Sequence, residues 1–303
     1  KYLDLDMLNE FVDMEIIDFL LKDLNYKSTY KIRYNNLVIN MDIISECKIV
    51  PFTIINKLIN IIIILGQYKS ITKSLTINID IYLTDFKKKI NIESDTLGCR
   101  EINSGYTSPG HKLCIFRKEE LYKVLIHELI HYLKLDLVRH VSFPDYEKYF
   151  NIPKKNEIKL NEAYTETFAV IFNSMINSKN LDNLIEILNR ELKFSLYQSA
   201  KILDYFKFNS ALEFFKRNDG SAKFKQKTSV FSYFIVKTLI LFNLDIFLKN
   251  YEKITPDNFK DFIIGLVSIK FIKTLQAFMS LIKRNNKNSE IYNSLTMVYL
   301  NEV

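Results

Sequence analysis

The apolar positions of this chain change their period twice. Leu3, Leu5, Leu8, Phe11, Val12, Ile16 and Phe19 recur at helical spacing and predict helix over residues 1–35. Residues 51–66, PFTIINKLINIIIILG, predict a buried helix that opens at Pro51 and stops at Gly66. The period then drops to two. In LTINIDIYLT, residues 75–84, Leu75, Ile77, Ile79, Ile81 and Leu83 alternate with polar residues, which predicts a half-buried strand, and residues 86–92 are expected to continue the sheet. Residues 98–117 read as a hairpin, INSGYT and KLCIFR about a Ser108-Pro109-Gly110 turn. Helical spacing returns at Lys118 and runs through EELYKVLIHELIHYLKLD.

A mixed stretch with two prolines fills residues 137–160 and reads as a loop. A second helix is expected over 161–177, NEAYTETFAVIFNSMIN, with Asn161 as its N-cap. From residue 180 onward the pattern is helical almost throughout, with breaks near Asn218–Gly220, Thr255–Pro256 and Arg284–Asn288. There is no internal repeat and no low-complexity linker. The expectation is an α+β fold in three parts: a helical segment over 1–40, a part with a small mixed sheet over 41–180, and a mostly helical subdomain over 181–303.

Composition narrows the class. Hydrophobic residues make up 48% and charged residues 25% of 303, the balance of a globular protein with a substantial core. Only 6 Gly and 5 Pro interrupt the chain, consistent with long helices. The formal charge of +7 is spread over the chain without a dense basic tract, and no arrangement of basic and aromatic residues matches a nucleic-acid module, so no nucleic acid is expected as partner. Residues 54–65 are too short for a membrane span and 230–248 are interrupted by Lys237, Asn243 and Asp245, so no span is expected. Three widely spaced cysteines, an odd count with no framework, point to a reducing, cytoplasmic setting. Heavy use of Ile, Asn and Lys suggests an AT-rich genome.

The chemistry concentrates in one place. All four histidines lie between 111 and 140, and two of them fall in His127-Glu128-Leu129-Ile130-His131. Residues four apart share a helix face, so His127 and His131 can aim at one point, with Glu128 near enough to take a proton from a water held there by a metal. Five residues alone are a degenerate signal; the amphipathic helix, the strand before it and the acidic helix after it raise its standing. Zinc needs a third protein ligand, and Glu162, Glu166, Asp136, His140 and His111 are the candidates. Glu162 and Glu166 share a helix face. The plain alternative for both is a pair of solvated carboxylates near a helix start.

His127-Glu128-Leu129-Ile130-His131 followed by Leu160-Asn161-Glu162-Ala163-Tyr164-Thr165-Glu166 resembles the gluzincin branch of the zincin metallopeptidases, the thermolysin-like and aminopeptidase-like enzymes. The resemblance covers about residues 75–177. It implies a zincin-like catalytic domain over 41–180, Zn2+ as cofactor on His127, His131 and Glu162, and Glu166 as an outer partner that orients a ligand. It implies hydrolysis of a peptide or protein substrate, with Glu128 as general base. Relatives stabilise the developing oxyanion with a Tyr or His of the C-terminal half; no histidine follows residue 140, so Tyr233 is the candidate and Tyr164 the second. By the same analogy the segment Ile102–Thr107 is the sheet edge that pairs with extended substrate, where Gly105 permits close backbone approach, and Cys114 is a small apolar residue.

The interval from His131 to Glu162 is longer than is usual in the branch, the surplus lying in 137–160. Position 134 is Lys and position 137 is Leu, so the three-histidine pattern of the metzincins is absent. The wider string also resembles, weakly, uncharacterised proteins of large DNA viruses, for which host cytoplasm or virion is the expected location. The competing expectation is a zincin-fold binding or structural protein without activity.

Overall fold

The computed structural model describes residues 11–137, 141, 143–154, 156–216, 223–284 and 289–300. The architecture is mixed α+β, a small five-stranded sheet and a helical C-terminal part. The chain divides into two compact units. The first comprises the described residues of Lys1–Lys88, Asn103–Asp136 and Leu300–Val303, and the second those of Lys89–Ile102 and Leu137–Tyr299.

The first unit opens with helix α1 (Met14–Lys22), capped by the Asp13 carboxylate, which accepts the Glu15 N–H at 3.1 Å. Strands β1 (Tyr26–Tyr34) and β2 (Leu37–Ser45) follow as an antiparallel hairpin. The helix expected over residues 1–35 therefore ends at Lys22; its Leu3, Leu5 and Leu8 lie outside the described residues. The reason is local. YKSTYKIRY is solvated on both faces and its Tyr26, Tyr30, Ile32 and Tyr34 recur at a period of two, not at helical spacing, and Asn35 at φ 51° makes the tight turn that asparagine tolerates.

Helix α2 (Phe52–Tyr68) and strand β3 (Leu75–Tyr82) lie where the pattern places them. Gly66, expected as the stop of α2, is instead inside it, and a Cβ there would sit 3.1 Å from Leu37 Cδ2. Strands β4 (Gly105–Ser108) and β5 (Lys112–Ile115) form the expected hairpin, with Ser108 opposite Lys112. Ile102 belongs to a single helical turn over Cys99–Ile102 rather than to the strand. Residues 86–92 add no strand to the sheet, whose order is β1-β2-β3-β5-β4. Pairing is parallel for β2–β3 and β3–β5 and antiparallel at both edges. One face carries Ile39, Met41, Ile43, Ile77, Ile79 and Ile81, all buried. On the other, Ile44, Tyr82, Cys114 and Phe116 pack against Ile16, Ile17 and Leu20 of α1.

Helix α3 (Leu121–Tyr132) closes the unit, lying against β4 and β5 and beside α2. It begins at Leu121, three residues later than the pattern suggests, after Glu120, whose φ of 61° turns the chain sharply. Buried charges hold that turn: the Lys88 ammonium pairs with the Glu120 carboxylate, and the Lys88 N–H donates to Glu119 Oε2 at 2.6 Å. Burial pushes the Lys88 ammonium below its ordinary pKa, and burial together with the neighbouring Glu120 pushes the Glu119 carboxyl up.

The second unit is helical: α4 (Leu160–Asn177), α5 (Leu181–Tyr205), α6 (Lys237–Phe242), α7 (Leu244–Asn250), α8 (Phe259–Leu266) and α9 (Ile269–Arg284). A π-helical turn over Phe231–Val236 runs straight into α6. The core is rich in phenylalanine, with Phe150, Phe214, Phe224 and Phe231 among its buried rings. The C-terminal segment is strapped down by buried polar side chains. Lys201 Nζ donates to the Ile291 carbonyl at 3.0 Å and also to that of Ser294, Lys237 Nζ to the Met297 carbonyl at 2.7 Å, and Gln198 Nε2 to the Thr296 carbonyl at 2.6 Å. The break expected at Thr255–Pro256 separates α7 from α8, whereas the one at Asn218–Gly220 lies outside the described residues. Among the described residues no single helix is long and apolar enough to cross a membrane; the apolar run beginning at Phe231 bends by 88° between Phe242 and Leu244.

Candidate metal centre

The first unit assembles two histidines, a glutamate and an aspartate around α3. His127 and His131 stack at one helical turn, with Nε2 of one 3.2 Å from Nε2 of the other and ring centroids 4.9 Å apart. Two nitrogens bound at 2.0–2.1 Å to a tetrahedral zinc lie about 3.3 Å apart, so the pair already has the spacing of adjacent ligands. His131 Nδ1 is 2.7 Å from Asp136 Oδ2. An ionised carboxylate accepts only, so Nδ1 carries the proton of that bond, and in the neutral ring the lone pair lies on Nε2, the atom that faces His127. Asp136, one of the candidate ligands by sequence, is thus the residue that orients His131.

Glu128 lies beside the pair, 7% exposed, next to His127 at 6%. Thr107 of β4 donates its hydroxyl to Glu128 Oε2 at 2.7 Å and to the Glu128 carbonyl at 3.0 Å, which fixes the carboxylate toward the sheet edge. Strand β4 is that edge. Gly105 on it is demanded by packing: a Cβ there would lie 2.9 Å from the Cys114 carbonyl, 3.0 Å from Val124 Cγ1 and 3.1 Å from Glu128 Cγ. The close approach is made by α3 and by the paired strand within the fold. Thr107 carried no signal in the sequence; only its register on β4 puts it under Glu128.

His111 sits in the exposed β4–β5 turn, where its N–H donates to the Ser108 carbonyl at 3.0 Å and its own carbonyl accepts from Asn78 Nδ2 at 3.1 Å. His140 lies outside the described residues. Cys114 is buried, and burial with the nearby Asp80 carboxylate pushes its thiol far up, which disfavours the thiolate form that binds metal.

In the second unit Glu162 and Glu166 both belong to α4. Asn161 does not cap this helix. The N-cap position is Lys159, the Leu160 N–H donates to the Val141 carbonyl at 3.2 Å, and the Asn161 amide reaches Glu162 Oε1 at 3.4 Å. Glu162 Oε2 accepts a 2.8 Å hydrogen bond from the Tyr233 hydroxyl. Tyr233 lies in the π-helical turn, a feature that recurs at functional sites, and the Ser232 hydroxyl ties that turn to the Lys159 carbonyl at 2.7 Å. Glu166 is buried at 1% exposure. Tyr164 packs among the rings of Phe168, Phe247 and Phe259, in the core.

No protein-family model matches the chain. The chain is similar to uncharacterized protein R210 of Acanthamoeba polyphaga mimivirus, 27% identical over 226 residues. The match takes in 68% of this chain and 56% of that protein, so the chain spans little more than half the length of its relative.

Proposed function

We propose that the protein is a zinc-dependent metallopeptidase of the gluzincin type, acting on a peptide or protein substrate. The observation that carries the reading is the pair of imidazoles with Nε2 atoms 3.2 Å apart, one of them hydrogen-bonded through Nδ1 to Asp136, which in the neutral ring puts the lone pair on Nε2. Glu162 is the third ligand of this proposal, supported by the Asn161-Glu162 dipeptide and by the Tyr233 hydroxyl on its Oε2. Glu166 is assigned the outer role that the resemblance implies.

Zinc held there supplies Lewis acidity toward a scissile carbonyl and toward water. The residues of the chain do the rest. Glu128, held by Thr107 at 2.7 Å, accepts the proton of the attacking water and returns it to the leaving amine. Strand β4, an edge of the sheet among the described residues, offers backbone groups to an extended substrate. Tyr233 donates a hydroxyl hydrogen that, once released from Glu162, can be offered to the carbonyl oxygen as charge develops on it.

Elemental analysis of the purified chain is expected to give about one zinc per molecule, lost in His131→Ala and in Glu162→Ala. Glu128→Gln retains the metal and lowers cleavage of a peptide library by about 10²–10⁴-fold. A chain without zinc would overturn the metal site. Full zinc with equal cleavage, or none, by both the wild type and Glu128→Gln would overturn the peptidase and leave a zinc-bound binding protein.

A further inference from the structure

The sheet has a second edge. Strand β1 is nine residues long, pairs with no strand but β2 among the described residues, and is solvated along nearly its whole length on both faces. All its charged residues are cations. Alternation puts Lys27, Thr29, Lys31 and Arg33 on one face and Tyr26, Tyr30 and Tyr34 on the other. Lys27 is neutralised by Asp42 on β2 at 2.6 Å, whereas Lys31 and Arg33 lie opposite Asn40 and Val38 and have no carboxylate partner among the described residues.

Three occupants can be compared. A second copy of the strand, paired antiparallel about Tyr30, would set Lys27 against Arg33 and Lys31 against Thr29; like charges face each other, which discourages self-association. A nucleic-acid strand needs cations for its phosphates and rings for its bases along one surface, and here alternation sends the two to opposite faces. An extended peptide pairing through its backbone reaches both. Residues directly opposite across a ladder share a face. Acidic residues at alternate positions would then meet Lys31 and Arg33, and the apolar residues between them would meet Tyr30, Ile32 and Tyr34.

We propose that the outer edge of β1 docks a partner protein's extended segment of alternating acidic and apolar residues, added to the sheet as a sixth strand. The site is independent of the metal centre, so it stands whatever the fate of the peptidase reading.

The probe is a fluorescein-labelled (Glu-Val)4 peptide, titrated with the whole chain and followed by fluorescence anisotropy. Saturable binding that weakens with salt is expected. Lys31→Glu combined with Arg33→Glu should weaken it about three- to thirtyfold, the range of two exposed ion pairs, and should confer binding of a (Lys-Val)4 peptide that the wild type ignores. A (Glu-Val)4 peptide N-methylated at every residue should not bind, because neither of its edges can donate to the ladder. Both substituted positions are exposed, and an unchanged melting temperature confirms folding. The proposal is overturned by no saturation below about 1 mM, by equal binding to the doubly substituted chain, by undiminished binding of the N-methylated peptide, or by a single-stranded oligouridylate that displaces the probe at lower concentration.

Discussion

Replacing Asp136 separates a metal ligand from a residue that orients one. In the structure Asp136 Oδ2 lies 2.7 Å from His131 Nδ1, on the side of the ring away from Nε2, and the two side chains are 11% and 17% exposed. Outer carboxylates of this kind typically contribute about 10–100-fold to metal affinity, or about 1.4–2.7 kcal/mol. Partial exposure lets water take over some of the hydrogen bond, so the low end applies, and Asp136→Ala should weaken zinc about tenfold. Asp136→Asn keeps a neutral acceptor in place and should cost about threefold. The assay is competition with a chromophoric chelator of known affinity, with melting in excess chelator as the folding control. Two results would refute the reasoning. An affinity within about twofold of wild type in Asp136→Ala would remove the orienting role, and a loss as complete as in His131→Ala would make Asp136 a ligand.

Three further outcomes are expected. Tyr233→Phe should lower kcat by about tenfold or more with KM nearly unchanged if the hydroxyl acts only in the transition state, whereas weakened zinc with unchanged kcat in the loaded enzyme would mean that it only positions Glu162. Gly105→Ala should destabilise by about 1–3 kcal/mol, seen in urea unfolding, because the added Cβ meets the Cys114 carbonyl at 2.9 Å; wild-type stability would contradict the packing described. Lys201 is buried and its ammonium is pushed down to about 7, while the carbonyls it donates to work the other way. An amine whose folded pKa lies below its unfolded value destabilises fully below pH 7, and the penalty is relieved as pH rises toward the unfolded pKa. The stability lost in Lys201→Met should accordingly be smaller at pH 6 than at pH 9, by about 1–3 kcal/mol, and a difference of the opposite sign would exclude that account.

Much of this was legible along the chain because it is periodic or local. The alternation of Leu75 to Leu83 is β3, the turn at Ser108-Pro109-Gly110 joins β4 to β5, and the spacing of His127 and His131 alone brings their Nε2 atoms together, since a helix turn is a local object. Hydrophobic period specifies an element when one face is buried, so β1, solvated on both faces, carries no mark of a buried face in the sequence, and Gly66 has the form of a helix stop although its lack of a Cβ answers to Leu37.

What only the tertiary structure decided are the partners that cross between elements. Thr107 meets Glu128 because β4 is the edge strand beneath α3, and Tyr233 meets Glu162 across 71 residues of chain. Asp136 holds His131 because the chain turns back after α3, with Lys134 in the left-handed region at φ 52°. Each contact depends on where two backbones pass each other, and no pattern within either segment encodes that. The sequence by itself therefore determined which residues could bind a metal and take a proton; the fold decided how those in the sheet unit are held.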